Sequence, residues 1–230
     1  MSEWIWQNFE RLVVIDTETT GIDPARERVI ELAAIAYGRS GEEESFDLFV
    51  SLPEGRRVPP FIVRLTGITD ELLAHEGVKS AEAAERLVGM LSGPGTLLAA
   101  YNAQFDLCFI YYLLKEAGME GALRGLKFLD ALTVYRDRRP YPHKLENAVE
   151  AYGLAGQNTH RAVDDAAAAA ELLEAMSREK DDLMNYVNLF GYNPKFGVPK
   201  PRIGSITYRP QPLDSDTPLY ESAGAPAGGA

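Results

Sequence analysis

Short apolar runs separated by turns dominate the first fifty residues, which is the pattern of β-strands. Residues 12–15 form a continuous apolar run, typical of a strand buried on both faces. Residues 28–37 and 44–52 predict two further strands, and the glycine-bounded turn at 38–41 predicts a hairpin between them. We therefore expect the first three strands to form an antiparallel meander.

Farther along, strands alternate with helices. Strands are predicted at 96–101 and 128–134, and helical segments are predicted at 61–64, 70–74, 80–91, 104–117, 144–152, 164–178 and 181–190. A strand followed by a helix implies a parallel strand reached by a right-handed crossover. The predicted fold class is α/β, with a five-stranded mixed sheet flanked by helices.

Composition favours one domain with an appended tail. The chain has 230 residues, of which 46% are apolar, enough for an independent core. We predict a domain over 1–190 and a tail over 191–230, which is proline-rich and basic at first and low-complexity at its end. The tail has two open interpretations: contact with nucleic acid or a partner, or a strap lying on the domain.

Charge and cysteine content narrow the class of protein. A net charge of −11 argues against tight, indiscriminate binding of duplex DNA. No apolar run approaches the roughly 18 residues that span a bilayer, and the first residues do not resemble a signal peptide. The single cysteine, Cys108, lies in an apolar stretch and is expected to be a buried thiol. These features predict a cytoplasmic protein without a membrane association.

Acidic residues stand at the ends of predicted strands and the starts of predicted helices. Asp16 and Glu18 alternate along the first strand, so their side chains point the same way. Asp106 begins a helix after a strand, and Asp164 and Asp165 begin the alanine-rich helix; spacing alone does not choose between the last two. Such acids would repel one another strongly if gathered, unless cations neutralised them.

A metal-dependent hydrolase is the economical interpretation of this pattern. Carboxylate oxygens suit Mg²⁺ or Mn²⁺, and two such ions with a nearby base are suited to breaking phosphate esters. His160 precedes the alanine-rich helix, and we expect it to serve as a general base because histidine as a residue type titrates near neutrality.

Four segments carry a resemblance to a known group. They are I-D-T-E-T-T-G at 15–21, L-T-G-I-T at 65–69, Y-N-A-Q-F-D at 101–106 and H-R-A-V-D-D at 160–165. The chain resembles, over roughly residues 9–178, the histidine-bearing (DEDDh, DnaQ-like) branch of the DEDD 3′–5′ exonucleases. That superfamily includes the proofreading epsilon subunit of bacterial DNA polymerase III and ribonuclease T. The resemblance implies a ribonuclease H-like fold.

The resemblance also implies an activity and a role for each motif residue. It implies a 3′–5′ exonuclease that uses two Mg²⁺, for which Mn²⁺ can substitute, and releases 5′-mononucleotides from single-stranded nucleic acid with a free 3′ end, DNA being favoured. Asp16, Glu18 and Asp165 would hold one metal, and Asp16 and Asp106 the second, while His160 would deprotonate the attacking water. The family's spacing from this histidine selects the second aspartate of the pair.

Substrate contacts are weaker expectations from the same resemblance. Thr19, Thr20 and Leu65 are expected beside the terminal nucleotide. Asn102 and Phe105 would support the second motif or stack on a base, and for Phe105 core packing is the stronger interpretation. The basic cluster formed by residues 136–139 and Lys144 would either guide the strand backbone or be a solvated loop.

The sequence is consistent with three functional hypotheses. The first is the exonuclease just described, with a DNA polymerase or another replication or repair protein as the expected partner. The alternatives are an RNA-trimming exoribonuclease of the same family and a catalytically idle module that binds nucleic acid or a replication partner.

Overall fold

A five-stranded mixed sheet forms the centre of the protein. In this computed structural model the described residues are 3–155, 161–213 and 217–222, apart from the side chains of 42 and 43. The strands are β1 (Arg11–Thr19), β2 (Val29–Gly38), β3 (Gly41–Phe49), β4 (Thr96–Ala100) and β5 (Lys127–Asp130). Their order is β3-β2-β1-β4-β5, with β1 to β3 antiparallel and β4 and β5 parallel to β1. The predicted α/β fold with a meander and parallel strands is confirmed.

Helices cover both faces of this sheet. They are α1 (Glu3–Asn8), α2 (Pro60–Thr66), α3 (Asp70–Glu76), α4 (Ser80–Leu91), α5 (Ala103–Glu116), α6 (Ala131–Arg136), α7 (Leu145–Ala151) and α8 (Ala162–Glu179). Alternate residues of β1 separate the two layers, because successive side chains of a strand point to opposite faces. Leu12 and Val14 pack in one core cluster with α8, whereas Val13 and Ile15 pack in another with α4 and α5.

The last predicted sheet strand is shorter than its apolar pattern suggested. We predicted a strand over 128–134, but the strand ends at Asp130 and α6 begins at the next residue. The Asp130 carboxylate accepts hydrogen bonds from the backbone N–H groups of Leu132 and Thr133, which caps the helix. A short apolar run does not distinguish a buried strand from a buried helix, and here the capping aspartate decided.

The prediction of a helix over 181–190 is wrong. A short 3₁₀ turn, Leu183–Tyr186, is followed by strand β6 (Leu189–Tyr192). Asn188 adopts a left-handed backbone conformation with φ 57°, which a helix cannot continue through. Its side-chain oxygen accepts a hydrogen bond from the backbone N–H of Phe128 at 2.8 Å, so the segment is attached to the edge of β5.

The described residues 191–213 lie against the domain. Strand β7 (Thr207–Pro210) pairs in parallel with β6. The Gln104 side chain of α5 donates a hydrogen bond to the Pro201 carbonyl at 2.9 Å and accepts one from the Tyr208 hydroxyl at 2.6 Å. Residues 191–213 therefore form a strap that lies on the domain, as one of the two interpretations of the tail described. The division at residue 190 stays a prediction, and residues 223–230 lie outside the described part.

Gln211 fastens the end of this strap. Its side chain is 3% exposed and donates hydrogen bonds to the Thr133 carbonyl at 2.9 Å and to Asp137 Oδ1 at 2.6 Å. Gly191 leaves the space that the Gln211 side chain occupies, because a Cβ at Gly191 would lie 2.6 Å from Gln211 Cδ.

Two expectations about apolar segments can be compared with the fold. Cys108 is 5% exposed, and burial raises the pKa of its thiol to about 11. The expected buried thiol is confirmed. Among the described helices, none has the length and apolar character needed to cross a membrane.

Gly191→Ala should detach the strap. The new methyl group would collide with the Gln211 side chain, which cannot move aside without losing two buried hydrogen bonds. We expect a loss of about 1–3 kcal/mol in the free energy of unfolding, measured by urea denaturation. Gly204→Ala is the matched control in the same segment, since a Cβ there meets nothing within 4 Å. Equal stability of the two variants would contradict the prediction.

Candidate active site

Three carboxylates meet where β1 approaches its carboxyl end. Ligand oxygens of Asp16, Glu18 and Asp165 all lie within 4.8 Å of one another. Asp16 and Glu18 extend the same face of β1 as Leu12 and Val14, and that face is covered by α8. Asp165 lies in the first turn of α8, so the packing of this helix delivers the third carboxylate.

Small side chains allow α8 to lie on the sheet. Ala166, Ala168, Ala169 and Ala170 are each at most 2% exposed and belong to the core cluster that contains Leu12 and Val14. The alanine run that predicted a strong helix therefore also packs that helix against β1, directly after Asp165.

Asp106 reaches the same region from the opposite face of the sheet. It lies in the first turn of α5, is 2% exposed, and accepts a hydrogen bond from the Thr17 hydroxyl at 2.8 Å. Its negative charge is close enough to raise the pKa of Asp16. The structure thus brings all four predicted acids together, with Asp106 beside the group formed by the other three.

The turn before α5 sets the direction of Asp106. Asn102 adopts a left-handed conformation with φ 67° and ψ 47°, which asparagine tolerates better than most residues. The next backbone N–H, of Ala103, donates to the buried Asp130 carboxylate at 3.0 Å. Asn102 therefore joins β4 to α5 through a sharp turn, and its side chain is exposed.

Burial and mutual repulsion shift the proton affinities of the cluster. Burial is the largest cause at each group: it raises the pKa of Asp16 well above its usual range, that of Glu18 to about 8 and that of Asp106 to about 7. Neighbouring carboxylates raise the pKa of Asp16 and Glu18 further. Protons held so tightly mark a place where a hard divalent cation would stabilise the ionised acids, and the donor set is all carboxylate oxygen.

Adjacent aspartates in α8 have different surroundings. Asp165 is 7% exposed and belongs to the cluster, whereas Asp164 lies on the exposed side of the helix. The helical rotation between neighbouring residues decides which one can reach the metal position. The choice that spacing alone left open falls on Asp165.

His160 lies outside the described residues, and its role stays a prediction. The next residue, Arg161, is firmly held. Its guanidinium contacts Glu31 at 2.7 Å and Asp47 at 3.0 Å, and it lies over the Phe49 ring at 5.1 Å from the centroid. Arg161 therefore ties the beginning of α8 to β2 and β3.

Glu31 is a site residue that the sequence analysis missed. It is fully buried, lies opposite Glu18 in the β1–β2 register, and accepts a hydrogen bond from the Ala162 backbone N–H at 3.2 Å. Burial, above all, raises its pKa, while its bond to Arg161 lowers it. A lone acid inside the apolar strand β2 was the available signal. Its position indicates that Glu31 orients α8.

The predicted substrate contacts differ in accessibility. Thr19 and Thr20 are 6% and 5% exposed, and their hydroxyls donate to the Gly21 carbonyl and to Glu27. Leu65 is 50% exposed on α2, one turn after Phe61, which is 55% exposed. These two side chains form an apolar ledge on α2. The sequence analysis predicted Leu65 but missed Phe61. The roles of all three predicted residues as substrate contacts stay predictions.

Phe105 packs into the protein. Its ring lies 4.8 Å from that of Phe109, and it borders the core cluster under α5. This agrees with the preference for core packing, although part of the ring also lines a surface cavity.

The chain matches known proteins over most of its length. The model of the exonuclease (RNase T) family matches residues 13–173. The 3′–5′ exonuclease DinG of Bacillus subtilis is 34% identical over 69% of this chain and 17% of that protein. The DNA polymerase III subunit epsilon of Treponema pallidum is 28% identical over 76% of this chain and 80% of that protein.

A solved structure supports the fold alone. Exonuclease I of E. coli, in complex with a deoxyadenylate oligonucleotide, superposes with a TM-score of 0.69 at 22% identity, over 77% of this chain and 42% of that chain. The chain therefore spans less than half of exonuclease I and about a sixth of DinG, but most of the epsilon subunit.

Stability without metal should fall as the pH rises. Glu18 keeps its proton in the folded protein up to a pKa of about 8, whereas the unfolded chain loses it near 4.5. The folded state then binds more protons between these values, so the free energy of unfolding decreases across that window. Thermal melting in a chelating buffer should show this decline, and Mn²⁺ should raise the Tm more near pH 8 than near pH 4.5.

Glu18→Gln is the control for that titration, because it removes one of the shifted protons and should make the decline less steep, while Asp16 and Asp106 keep theirs. A Tm that Mn²⁺ shifts equally at both ends of the window would contradict the interpretation.

Glu31→Gln should weaken both the fold and the metal centre. The variant loses the buried partner of Arg161, which is 40% exposed, so we expect about 1–2 kcal/mol rather than the ~3–5 kcal/mol of a fully buried pair. Weaker repulsion on Glu18 offsets part of this loss. Mn²⁺ binding by calorimetry should weaken because α8 is less firmly placed. Glu44→Gln, which breaks two partly exposed ion pairs, should cost under about 1 kcal/mol and leave Mn²⁺ affinity unchanged.

Proposed function

This chain belongs to the exonuclease family, and we propose that it removes nucleotides one at a time from the 3′ end of single-stranded DNA. The observation that carries the proposal is the group of three carboxylates within 4.8 Å, with Asp106 beside it. An idle binding module has no physical reason to retain buried acids that repel one another.

Divalent cations complete the proposed centre. We assign Asp16, Glu18 and Asp165 to one Mg²⁺ and Asp16 with Asp106 to a second, with Mn²⁺ able to replace either. Bound divalent cations stabilise the charge that develops on a phosphodiester during hydrolysis. The high pKa values of Glu18 and Asp106, about 8 and about 7, mean that cations and protons compete for these oxygens.

Side chains of this protein accept the proton and bind the terminal nucleotide. We assign to His160 the acceptance of the proton of the attacking water, because histidine is the side chain most often used as a general base. The ledge of Phe61 and Leu65 offers an apolar surface for the terminal base, and both side chains are at least half exposed. Thr19 and Thr20 shape the turn after β1 beside that nucleotide.

Direction, substrate and partner rest on the relatives. DinG is named a 3′–5′ exonuclease, and exonuclease I was solved with a DNA oligonucleotide. The likeness to an epsilon subunit over most of both chains supports association with a DNA polymerase. A net charge of −11 gives little long-range attraction to DNA, which also favours action beside a tethering protein.

Replacement of the two neighbouring aspartates tests the centre. Asp165→Asn should lower kcat on a single-stranded oligonucleotide with a free 3′ end by more than about a hundredfold. Mutation of a residue that only hydrogen-bonds to a metal ligand typically costs about 10–100-fold, and loss of a proposed ligand itself should cost more. Asp164→Asn, one residue away and exposed, should retain wild-type activity. Stepwise shortening is followed on denaturing gels with Mg²⁺ or Mn²⁺. Equal activity of the two variants would place the site elsewhere.

His160→Ala extends the same assay. It should reduce kcat by about 10²–10⁴-fold while leaving Mn²⁺ affinity unchanged. Matched DNA and RNA oligonucleotides, digested in parallel, distinguish the proposed activity from RNA trimming. Faster removal of ribonucleotides would overturn the choice of DNA.

A further inference from the structure

A cavity of about 380 Å³ opens beside the start of α5. Its walls come from three parts of the chain: the loop after β1, the first turn of α5 with the end of α6, and the C-terminal strap. The residues that define it are Ile22, Asn102, Phe105, Arg136, Phe196 and Lys200. Asp106 follows Phe105 in the first turn of α5, so the same helical turn carries a residue of the cavity and a member of the acid cluster.

Two solvent-exposed apolar side chains belong to this cavity. Ile22 is 87% exposed and Phe196 is 79% exposed, the highest values of any large apolar side chain in the described residues. Both line the cavity. Exposed apolar side chains that are grouped in one cavity beside polar residues are typical of a contact surface.

Two cations complement these apolar groups. Arg136 and Lys200 line the same cavity, and neither side chain makes a hydrogen bond or ion pair within the described part of the chain. Arg138 and Arg139, by contrast, are bound to Glu179. The basic cluster predicted from sequence therefore divides: two arginines hold α8, and only Arg136 faces the cavity.

Asp130 is the acid that lines this cavity, and its carboxylate is already engaged. It accepts hydrogen bonds from backbone N–H groups at the starts of α5 and α6 and from the Thr133 hydroxyl. Burial raises its pKa, and the charge of Arg136 opposes that rise. Four donors therefore hold the Asp130 carboxylate, and the cavity carries two cations, Arg136 and Lys200, against this one acid.

The strap wall is specific to this chain's C-terminal part. Phe196 and Lys200 lie beyond residues 13–173, the part that matches the exonuclease family. The wall is held in place next to α5 by the contacts of Gln104 with Pro201 and Tyr208. A fixed wall can act as a binding surface without first paying the entropy of ordering.

We propose that this cavity binds the nucleotides that precede the 3′-terminal one on single-stranded DNA. The bases contact Ile22 and Phe196, and the phosphates between them contact Arg136 and Lys200. Bases must be unstacked to meet a protein ring, which selects a single strand over a duplex. The inference rests on the proposed function for the position of the strand end, and it adds a role for the strap in substrate length and affinity.

Substrates of different length separate this cavity from the acid cluster. The p-nitrophenyl ester of thymidine 5′-monophosphate needs only the cluster, whereas a labelled oligothymidylate needs both. Phe196→Ala should lower kcat/KM on the oligothymidylate about tenfold and leave ester hydrolysis unchanged. Tyr141→Ala is the control, because Tyr141 is 72% exposed but does not line the cavity.

Salt dependence tests the phosphate contact. With chelator present, fluorescence anisotropy gives the Kd for the same oligothymidylate without hydrolysis. Lys200→Gln should reduce the slope of log Kd against log salt concentration by about 0.7, the value for one phosphate on a single strand. Lys127→Gln, exposed and away from the cavity, should leave the slope unchanged.

The two hypotheses fail in different ways. Wild-type protein that hydrolyses neither substrate contradicts the proposed function. In that case the oligothymidylate Kd and its salt dependence still test the cavity assignment. Unchanged oligothymidylate Kd and kcat/KM in Phe196→Ala and Lys200→Gln would overturn the cavity assignment, as would an equal loss on the ester and the oligonucleotide.

Discussion

Repulsion among buried carboxylates is the constraint on which the rest of this structure depends. Asp16, Glu18, Asp106 and Asp165 converge where burial and like charge oppose ionisation of these groups. A cation removes that opposition, and without one the acids keep protons that free carboxylic acids would lose. The surrounding fold must therefore be stable enough to hold the acids together in either state.

Sheet topology explains how so few residues create this density of charge. β1 lies in the middle of the sheet, and each of its faces is covered by a different helix layer. One face presents Asp16 and Glu18 to α8, while Thr17 on the other face binds Asp106 of α5. The ion pair of Glu31 with Arg161 then fixes where α8 begins. The buried acid Glu31 increases the repulsion in the centre and, through its positioning of α8, also maintains the geometry.

The C-terminal strap extends the domain that the chain shares with its family. Its parallel pair of strands, the buried Gln211 and the contacts of Gln104 keep it against α5 and α6. It thereby turns a shallow surface beside the second motif into a walled cavity that carries both apolar and cationic groups. In an acidic chain, this places positive charge locally at the site proposed for the DNA strand, without raising the attraction of the whole surface.

Local sequence determined the elements whose signals are local. Continuous apolar runs and glycine turns predicted the five strands. Strand alternation, which is a property of neighbouring residues, predicted that Asp16 and Glu18 point the same way. Local signals failed at 128–134 and 181–190, where apolar stretches suit more than one element and the contacts of Asp130 and Asn188 decided. Tertiary packing turned Asp165 toward Asp16 and Glu18, in agreement with what the family resemblance implied. It also revealed the contact of Glu31 with α8 and brought Ile22 and Phe196 to one cavity. Those outcomes depend on which helix face meets the sheet and on contacts between residues more than a hundred positions apart, and such distances are not encoded in any local pattern.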